Sequence, residues 1–345
     1  MLVVFYLYNQ DLIVNQKRTL VINFNDERPI WAVTDEAVAR IQAALPADWR
    51  LIRLNEPVSS KGDGPKTSTR EALDAVKEAE IYIGTGFPVE LLRAAQETGK
   101  LRWIHTGAAG VKSLLYPEML ASPVILTNSA GIHAEPMAET VLAMILYFAR
   151  GLDFARNSQV QRLWDQGPFQ GVDSPVAEIA GQTLGVIGYG GIGREAARRA
   201  EALGMRILRT RTDSVERILR ESDFVLVSLP STGETRHMIG AGQLGLMKRG
   251  AVLINIARGD IVDESALIDA LQRHALRGAA LDVFEQEPLP ESSPLWQLPN
   301  VLVLPHVGAT TSRFWERQAD LITENIGRYL RAERLRNVVD KTRGY

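Results

Sequence analysis

One stretch, residues 181–212, constrains the fold of this chain more than any other. It reads GQTLGVIGYGGIGREAARRAEALGMRILRTRT. A short apolar run at residues 184–187 predicts a buried strand, and residues 194–203 are good helix formers. Gly204 ends that helix, and residues 205–208 can form a second strand. The stretch therefore predicts a strand, a turn, a helix and a strand, and one helix face would carry Ala196, Ala197, Ala200 and Leu203.

The turn between strand and helix is a G-x-G-x-x-G, formed by Gly188, Tyr189, Gly190, Gly191, Ile192 and Gly193. In such a turn Gly188 allows the tight bend, Gly190 lets a pyrophosphate approach the backbone, and Gly193 lets helix and strand pack closely. The helix N-terminus offers the anion free N–H groups and a favourable dipole. The motif often arises by chance in a chain with 28 glycines. Inside a strand–helix–strand unit it predicts dinucleotide binding.

Bulk composition limits the class of protein and its partners. The 345 residues are enough for two domains with sizeable cores. A net charge of −2 gives no strong field, so we expect neither a nucleic-acid nor a membrane partner. The absence of cysteine excludes disulfides and thiolate sites, and it is compatible with the cytoplasmic location that we expect. The histidines do not recur at metal-ligand spacing, so we expect no metal site.

Predicted strands and helices alternate along the chain. Residues 1–18 look like an N-terminal extension without the features of a signal peptide, and residues 59–66 form a loop by composition. Strands are predicted at residues 20–23, 51–54, 81–83, 101–105, 124–127, 224–229, 251–255, 279–283 and 301–304, with helices between most of them. This alternation predicts an α/β fold with doubly wound parallel sheets.

Residues 135–150 predict the most apolar helix. Pro136 suits its first turn, and its many apolar side chains leave almost no polar face. A helix that is hydrophobic all round must be buried. Two interpretations stay open, a core helix and a helix between domains or subunits. We favour the second, because a polar, irregular segment at residues 156–178 follows it, and we therefore expect a homodimer.

Three polar residues, Arg258, Glu287 and His306, follow the carboxyl ends of predicted strands. Ligands of doubly wound sheets gather beyond these ends. Histidine titrates near neutrality and can both donate and accept a proton. A neighbouring carboxylate favours the imidazolium form, and an arginine fork matches a carboxylate in a bidentate way. The three residues therefore predict an acid/base site that binds a carboxylate.

The segment from residue 184 to residue 311 contains VIGYGGIGREAA, SLPSTGETRHMIG, LINIARGDIVDESALIDAL, GAALDVFEQEPLP and LPHVGAT. These strings resemble the D-isomer-specific 2-hydroxyacid dehydrogenase family in its order and spacing, and GAAG at residues 107–110 extends the likeness more weakly. The resemblance implies two Rossmann-like, doubly wound domains. The substrate-binding domain would comprise residues 1–127 and 309–345, and an NAD(P)-binding domain of residues 128–308 would be inserted into it.

The resemblance also implies residue roles. His306 would be the acid/base that protonates the carbonyl oxygen as hydride arrives at carbon. Glu287, rather than Glu285, would orient His306 and raise its pKa, while Arg258 would bind the substrate carboxylate and polarise the keto oxygen. The cofactor site would extend to residues at strand ends, namely Pro230, Ala257, Arg258 and Asp282. A concave group of backbone amides for the carboxylate would come from Ala108, Ala109 and Gly110.

The choice of nicotinamide cofactor depends on the end of the second strand. NAD sites of this kind place an acidic residue about 20 residues past the glycines. Here the corresponding residues are Arg209, Thr210, Arg211 and Thr212. Two arginines and two hydroxyls suit a 2′-phosphate, so we predict a preference for NADP(H). In the alternative, the arginines are solvated and Asp213 reaches the ribose, which keeps NAD possible.

The leading hypothesis is an NADPH-dependent reductase that converts small 2-keto acids to D-2-hydroxy acids. By resemblance, glyoxylate and hydroxypyruvate are reasonable substrates. Formate dehydrogenases share the fold but pair the histidine with glutamine, so Glu287 argues against them. Phosphoglycerate dehydrogenases often carry an extra regulatory domain, which we do not expect here. The alternative from another class is a nicotinamide-sensing binding protein similar to the corepressors that share this fold and can retain the same three site residues.

Overall fold

The structure, a computed structural model, describes residues 17–26, 28–55, 57, 58 and 68–344. The extension predicted at residues 1–18 lies outside the described residues except for its last two, and the loop predicted at residues 59–66 lies outside them entirely. The chain forms two compact units. The described residues up to Ile132 and from Ser312 onward make the first unit, and His133–Thr311 make the second. No helix in the described part of the chain has the length and apolarity that crossing a membrane requires.

The described residues contain strands β1 (Arg18–Asn23), β2 (Asn25–Asp26), β3 (Trp49–Arg53), β4 (Pro57–Val58), β5 (Ile81–Gly84), β6 (Trp103–Thr106), β7 (Ile125–Thr127), β8 (Thr183–Ile187), β9 (Arg206–Arg209), β10 (Phe224–Val227), β11 (Val252–Asn255), β12 (Gly278–Leu281) and β13 (Val301–Val303). They also contain helices α1 (Asp35–Ala43), α2 (Arg70–Glu78), α3 (Val89–Thr98), α4 (Pro117–Ala121), α5 (Ala134–Ala149), α6 (Leu152–Gln161), α7 (Gly167–Gln170), α8 (Gly191–Ala202), α9 (Val215–Glu221), α10 (Ala241–Leu244), α11 (Glu264–Gln272) and α12 (Phe314–Leu330). Single 3-10 turns lie at Lys112–Leu114, Gly259–Ile261 and Pro294–Trp296.

The first unit is built on a parallel five-stranded sheet in the order β3-β1-β5-β6-β7, with β2 and β4 as a separate parallel pair. Helices cover both faces. Leu20 and Ile22 of β1 enter the core that α1 and α12 complete, whereas Val21 enters the core under α2, α3 and α4. Thr34 and Thr69 start α1 and α2 as N-caps, because each hydroxyl accepts a backbone N–H of the first turn at 3.2 Å.

The second unit holds a parallel six-stranded sheet in the order β13-β12-β11-β10-β8-β9. The strand order reverses at β8, which has β9 on one side and β10 on the other. Helices α5 and α8 pack on one face, and α9, α10 and α11 pack on the other. Two parallel sheets with helices on both faces confirm the predicted doubly wound α/β fold.

The apolar helix predicted at residues 135–150 is α5. Its side chains Met137, Val141 and Phe148 are buried in the core of the second unit, beside α8. Its other side is not buried, since Leu146 is 37% exposed. The core interpretation therefore holds for one face, and the described residues of this chain do not cover the other face. A subunit contact through the exposed face stays a prediction.

Helix α8 corrects a second detail. We predicted Ala196, Ala197, Ala200 and Leu203 on one face, and the three alanines are buried, but Leu203 is 46% exposed. The helix ends at Ala202, so Leu203 falls in the cap and turns away from the buried face.

Candidate active site

Three neighbouring strands of the second unit carry the candidate catalytic residues. Arg258 follows β11, Glu287 follows β12 and His306 follows β13. These strands are adjacent and parallel, so their carboxyl ends meet at one edge of the sheet. Pro230 follows β10 at the same edge, where its carbonyl accepts the hydroxyl of Thr235 at 2.8 Å.

The side chains of His306 and Glu287 form a hydrogen-bonded pair. His306 Nδ1 lies 2.7 Å from Glu287 Oε2, and Glu287 Oε1 accepts the backbone N–H of Phe284 at 3.0 Å. His306 has a φ of 55°, in the left-handed region that side chains other than glycine rarely adopt and that clusters at functional sites. Since Nδ1 binds the carboxylate, Nε2 is the ring nitrogen available to a ligand.

The electrostatics of the pair favour a charged histidine. The hydrogen bond to Glu287 raises the pKa of His306 above its ordinary value, against partial burial, which lowers it. Burial raises the pKa of Glu287, but the bonds from His306 and the Phe284 N–H outweigh burial and leave that pKa lowered. The positive charge of Arg258 lowers both pKa values, so the guanidinium lies near the pair. The arrangement can hold a proton ready for donation near neutral pH.

A buried aspartate fixes the backbone that carries His306. Asp282 Oδ1 accepts the N–H of Val307 at 2.8 Å, and Oδ2 accepts the N–H of Gly308 at 3.0 Å. Burial raises the pKa of Asp282, although these bonds oppose the rise. Sequence reasoning placed Asp282 in the cofactor site and missed this supporting contact. The sequence feature that could have predicted this contact is the position of Asp282 directly after the buried strand β12.

Arg258 extends from the same edge with an exposed side chain. Its Nη1 donates to the carbonyl oxygen of Ala257 at 2.6 Å. The next residue, Gly259, has no room for a side chain, because an added Cβ would lie 1.9 Å from the carbonyl carbon of Phe284. Glycine thus permits the close approach of the Arg258 loop to the loop that carries Glu287.

Three of the four glycines in the turn after β8, those at the G positions of the motif, differ in their surroundings. Gly188 has a φ of 102°, and a Cβ added there would lie 2.5 Å from Ser228. A Cβ on Gly193 would lie 2.2 Å from the carbonyl oxygen of Gly188, whereas one on Gly190 would meet no atom of the described part of the chain within 4 Å. Among the described residues, no side chain caps the N-terminus of α8. An open backbone beside an uncapped helix end fits a pyrophosphate.

The end of β9 lies against this turn. Arg209 Nη1 donates to the hydroxyl of Tyr189 at 2.8 Å, and its guanidinium carbon lies 4.7 Å from the centre of that ring. Thr210 Oγ1 accepts the N–H of Gly188 at 3.2 Å. Arg211 is exposed and forms no hydrogen bond or ion pair with the described residues. The spacing of Arg209 and Tyr189 in the sequence does not predict this contact.

The carboxylate of Asp213 is already bound by neighbouring groups of the chain. Its carboxylate accepts the backbone N–H of Arg209 at 3.1 Å and the hydroxyl of Thr212 at 2.8 Å, and it forms an ion pair with Arg217 at 2.7 Å. The N–H of Arg209 and then the hydroxyl of Thr212 lower the pKa of Asp213 most. The carboxylate is therefore held within the loop that follows β9.

The predicted substrate loop belongs to the first unit and follows β6. The N–H of Ala108 donates to Thr106 Oγ1 at 3.3 Å. The N–H groups of Ala109 and Gly110 have no hydrogen-bond acceptor among the described residues, and both residues are exposed. Two neighbouring amides are thus available to an anion.

Comparison with known proteins points to one family. The family described as D-isomer specific 2-hydroxyacid dehydrogenase, NAD binding domain, matches residues 142–308. Glyoxylate/hydroxypyruvate reductase B of Serratia proteamaculans is 36% identical over 302 residues, which are 82% of this chain and 91% of that protein. D-3-phosphoglycerate dehydrogenase of Methanocaldococcus jannaschii is 32% identical over 321 residues, which are 88% of this chain but only 60% of that longer protein.

A solved structure agrees with these relatives. The D-isomer specific 2-hydroxyacid dehydrogenase from Xanthobacter autotrophicus Py2, in complex with NADPH and MES, is similar with a TM-score of 0.75 and 29% identity. The match covers 95% of this chain and 100% of that chain. Shared sequence along most of the chain and a shared fold show that this protein belongs to the D-isomer specific 2-hydroxyacid dehydrogenase family.

Proposed function

We propose that this protein reduces a small 2-keto acid to the D-2-hydroxy acid with a nicotinamide cofactor. The observation that carries the proposal is the 2.7 Å hydrogen bond between His306 Nδ1 and Glu287 Oε2, which raises the pKa of the histidine. The bound cofactor would supply a hydride to the carbonyl carbon. His306 would donate its Nε2 proton to the carbonyl oxygen, which balances the hydride with a proton.

The neighbouring side chains support that proton transfer. Glu287 would stabilise the imidazolium and hold the ring with Nε2 toward the substrate. Arg258 would bind the substrate carboxylate and polarise the keto oxygen, for which its exposed guanidinium suits a planar anion. In this proposal the pyrophosphate lies on the turn from Gly188 to Gly193, and the amides after β6 bind the substrate carboxylate.

The test of the reaction is direct. The purified protein is assayed with NADPH and with NADH against a panel of 2-keto acids that includes glyoxylate and hydroxypyruvate, the substrates in the names of several relatives. We expect NADPH oxidation with the smallest keto acids. If no keto acid supports turnover with either cofactor, the reductase proposal fails and a nicotinamide-sensing role takes its place.

We further propose that NADP(H) is preferred over NAD(H). Arg211 is exposed and free of protein partners in the described part of the chain, so it is available to a 2′-phosphate. The carboxylate of Asp213 is already occupied by Arg209, Thr212 and Arg217 and is poorly placed to accept ribose hydroxyls. The NADPH bound to the Xanthobacter autotrophicus relative is consistent with this preference.

The cofactor preference predicts the effect of Arg211→Asp. Loss of a charge-assisted phosphate contact corresponds to about 10- to 150-fold. We therefore expect the NADPH/NADH ratio of kcat/KM to fall by that factor, because the new carboxylate repels the phosphate and can accept ribose hydroxyls. Arg206→Asp, at the exposed start of β9, the strand that precedes Arg211, is the matched control and should leave the ratio unchanged. An unchanged ratio in Arg211→Asp would contradict the assignment.

We also propose that the protein is a homodimer in the cytoplasm. Large exposed apolar side chains concentrate in one part of the second unit, at Leu152, Val160, Leu163, Trp164 and Val172. These side chains belong to one segment of the chain, exposed apolar surface is typical of a protein interface, and symmetric dimers are the commonest oligomers. The start of this segment is anchored, because the buried carboxylate of Asp153 forms an ion pair with Arg277 at 2.7 Å.

A further inference from the structure

The amides available after β6 have a defined direction. The carbonyl oxygen of Ala108 accepts the backbone N–H of Ser129 at 3.1 Å. The carbonyl oxygen of Ala109 accepts the side-chain Nδ2 of Asn128 at 2.8 Å. In a trans peptide, the C=O of one residue and the N–H of the next point in opposite directions. Both N–H groups, those of Ala109 and Gly110, therefore point away from residues 128 and 129.

We propose that Asn128 is a positioning residue for substrate binding, whose side-chain amide turns the N–H of Gly110 toward the substrate carboxylate. The inference rests on the proposed function, in which this loop binds that carboxylate. Asn128 would not touch the substrate. It would act through the peptide between Ala109 and Gly110, while the backbone of Ser129 sets the preceding peptide in the same way.

Asn128 is itself held on several sides. Its side chain is buried, and Oδ1 accepts the N–H of Ala130 at 3.1 Å. Its backbone N–H donates to the carbonyl oxygen of Asn337 at 3.1 Å, and Asn337 Nδ2 donates back to the carbonyl oxygen of Asn128 at 3.2 Å. Because the backbone and the Oδ1 atom of Asn128 are both engaged, its side-chain amide is held in the orientation in which Nδ2 faces Ala109. A rigid donor can set a peptide plane, whereas a mobile one cannot.

The residues on both sides of Asn128 are fixed by a buried histidine. His105 Nδ1 lies 2.9 Å from Thr127 Oγ1, and His105 Nε2 lies 3.2 Å from Ser129 Oγ. The hydroxyl of Ser129 donates to the carbonyl oxygen of Thr106 at 2.9 Å, so Ser129 also fixes the start of the loop. Burial lowers the pKa of His105 to about 3, so the ring is neutral and bridges the two hydroxyls at working pH. The flanks of Asn128 therefore stay in place as pH changes.

The experiment compares two asparagines of the same burial. Asn128→Ala removes the donor to Ala109. Asn300→Ala is the matched control, because Asn300 has the same 7% exposure and its Nδ2 also donates to a backbone carbonyl, that of Leu271. Asn300 precedes β13 and so lies at the sheet edge opposite the candidate active site. Each variant is assayed with glyoxylate and NADPH, and NADPH affinity is measured separately by fluorescence titration.

In Asn128→Ala we expect KM for glyoxylate to rise about 10-fold, with kcat within about 3-fold of the wild type and NADPH affinity unchanged. The reason is that the N–H of Gly110 is no longer directed toward the substrate carboxylate. Asn300→Ala should change none of these values. Asn128→Asp is the second variant. It keeps the shape and the acceptor for Ala130 but lacks the donor, so its KM should rise as well even if the alanine variant folds poorly.

The outcomes separate this inference from the proposed function. Wild-type turnover with an unchanged KM in both Asn128 variants would overturn the positioning role alone. An equal rise in KM in Asn300→Ala would also overturn it, because general destabilisation would then explain the effect. A wild-type protein that reduces no 2-keto acid would overturn the proposed function and this inference together.

Discussion

At the scale of single residues, the candidate chemistry depends on one short hydrogen bond. His306 meets Glu287 through Nδ1, and the carboxylate is the main reason that the pKa of His306 lies above its ordinary value. Partial burial and Arg258 act in the opposite direction. The protonated histidine is the form that donates a proton during reduction. The pH dependence of reduction therefore reports on the pair.

Replacement of Glu287 by Gln should move this pH dependence. In the wild type, kcat/KM for reduction should be constant at low pH and fall as pH rises through the raised pKa of His306. Without the Glu287 carboxylate, the main cause of the raised pKa is lost, and burial and Arg258 lower the pKa of His306 against the smaller opposite effect of Asp282. The falling limb should move to lower pH, and activity at a fixed pH on the limb should drop about 10-fold for each pH unit that the limb moves. A pH–rate profile in which Glu287→Gln keeps the wild-type limb would contradict the role of the pair.

At the scale of elements, two glycines in the turn between β8 and α8 have different roles, one in binding and one in packing. Gly193 touches backbone, since an added Cβ would lie 2.2 Å from the carbonyl oxygen of Gly188, and Gly190 faces open space. The same residue type thus serves two purposes in one motif. The motif predicts this division from the sequence, and the structure supplies its physical basis, because Gly193 lies against β8 and the end of β10.

This difference predicts opposite results for two alanine substitutions. Gly193→Ala should destabilise the protein, because overpacking against backbone costs about 1–3 kcal/mol. Gly190→Ala should leave Tm nearly unchanged but weaken NADPH binding about 10-fold or more, because its methyl group would occupy the approach of the pyrophosphate. Thermal unfolding and a cofactor titration measure the two effects. Equal losses of Tm in both variants would contradict the assignment of roles.

Much of the element order was predictable from sequence, because strands and helices alternate along the chain and space their apolar residues differently. The placement of Arg258, Glu287 and His306 after strand ends was also predictable, and the structure brings the last two into contact. Other features depend on non-local packing and on side-chain conformations. Examples are the exposed face of α5, the use of the Asp282 carboxylate by the His306 loop, and the contact of Arg209 with Tyr189. No spacing rule anticipates such contacts.

At the scale of the whole molecule, the exposed apolar segment of the second unit predicts the oligomeric state. Trp164 is 93% exposed, so its replacement by Asp should not disturb the fold of one chain. We expect light scattering to show a dimer for the wild type and a monomer for Trp164→Asp, because a charge would be buried in the interface. Trp296→Asp, at 51% exposure elsewhere in the same unit, is the control and should remain dimeric. A monomeric wild type would exclude this interface.

The reductase assignment finally depends on His306 as the proton donor. The test compares His306→Asn with His274→Asn, an exposed histidine that also has a left-handed backbone, a conformation that asparagine tolerates. We predict that His306→Asn lowers kcat for keto-acid reduction about 10²- to 10⁴-fold with NADPH affinity unchanged, and that His274→Asn behaves as the wild type. Wild-type turnover in His306→Asn would contradict the assignment of His306 as the acid.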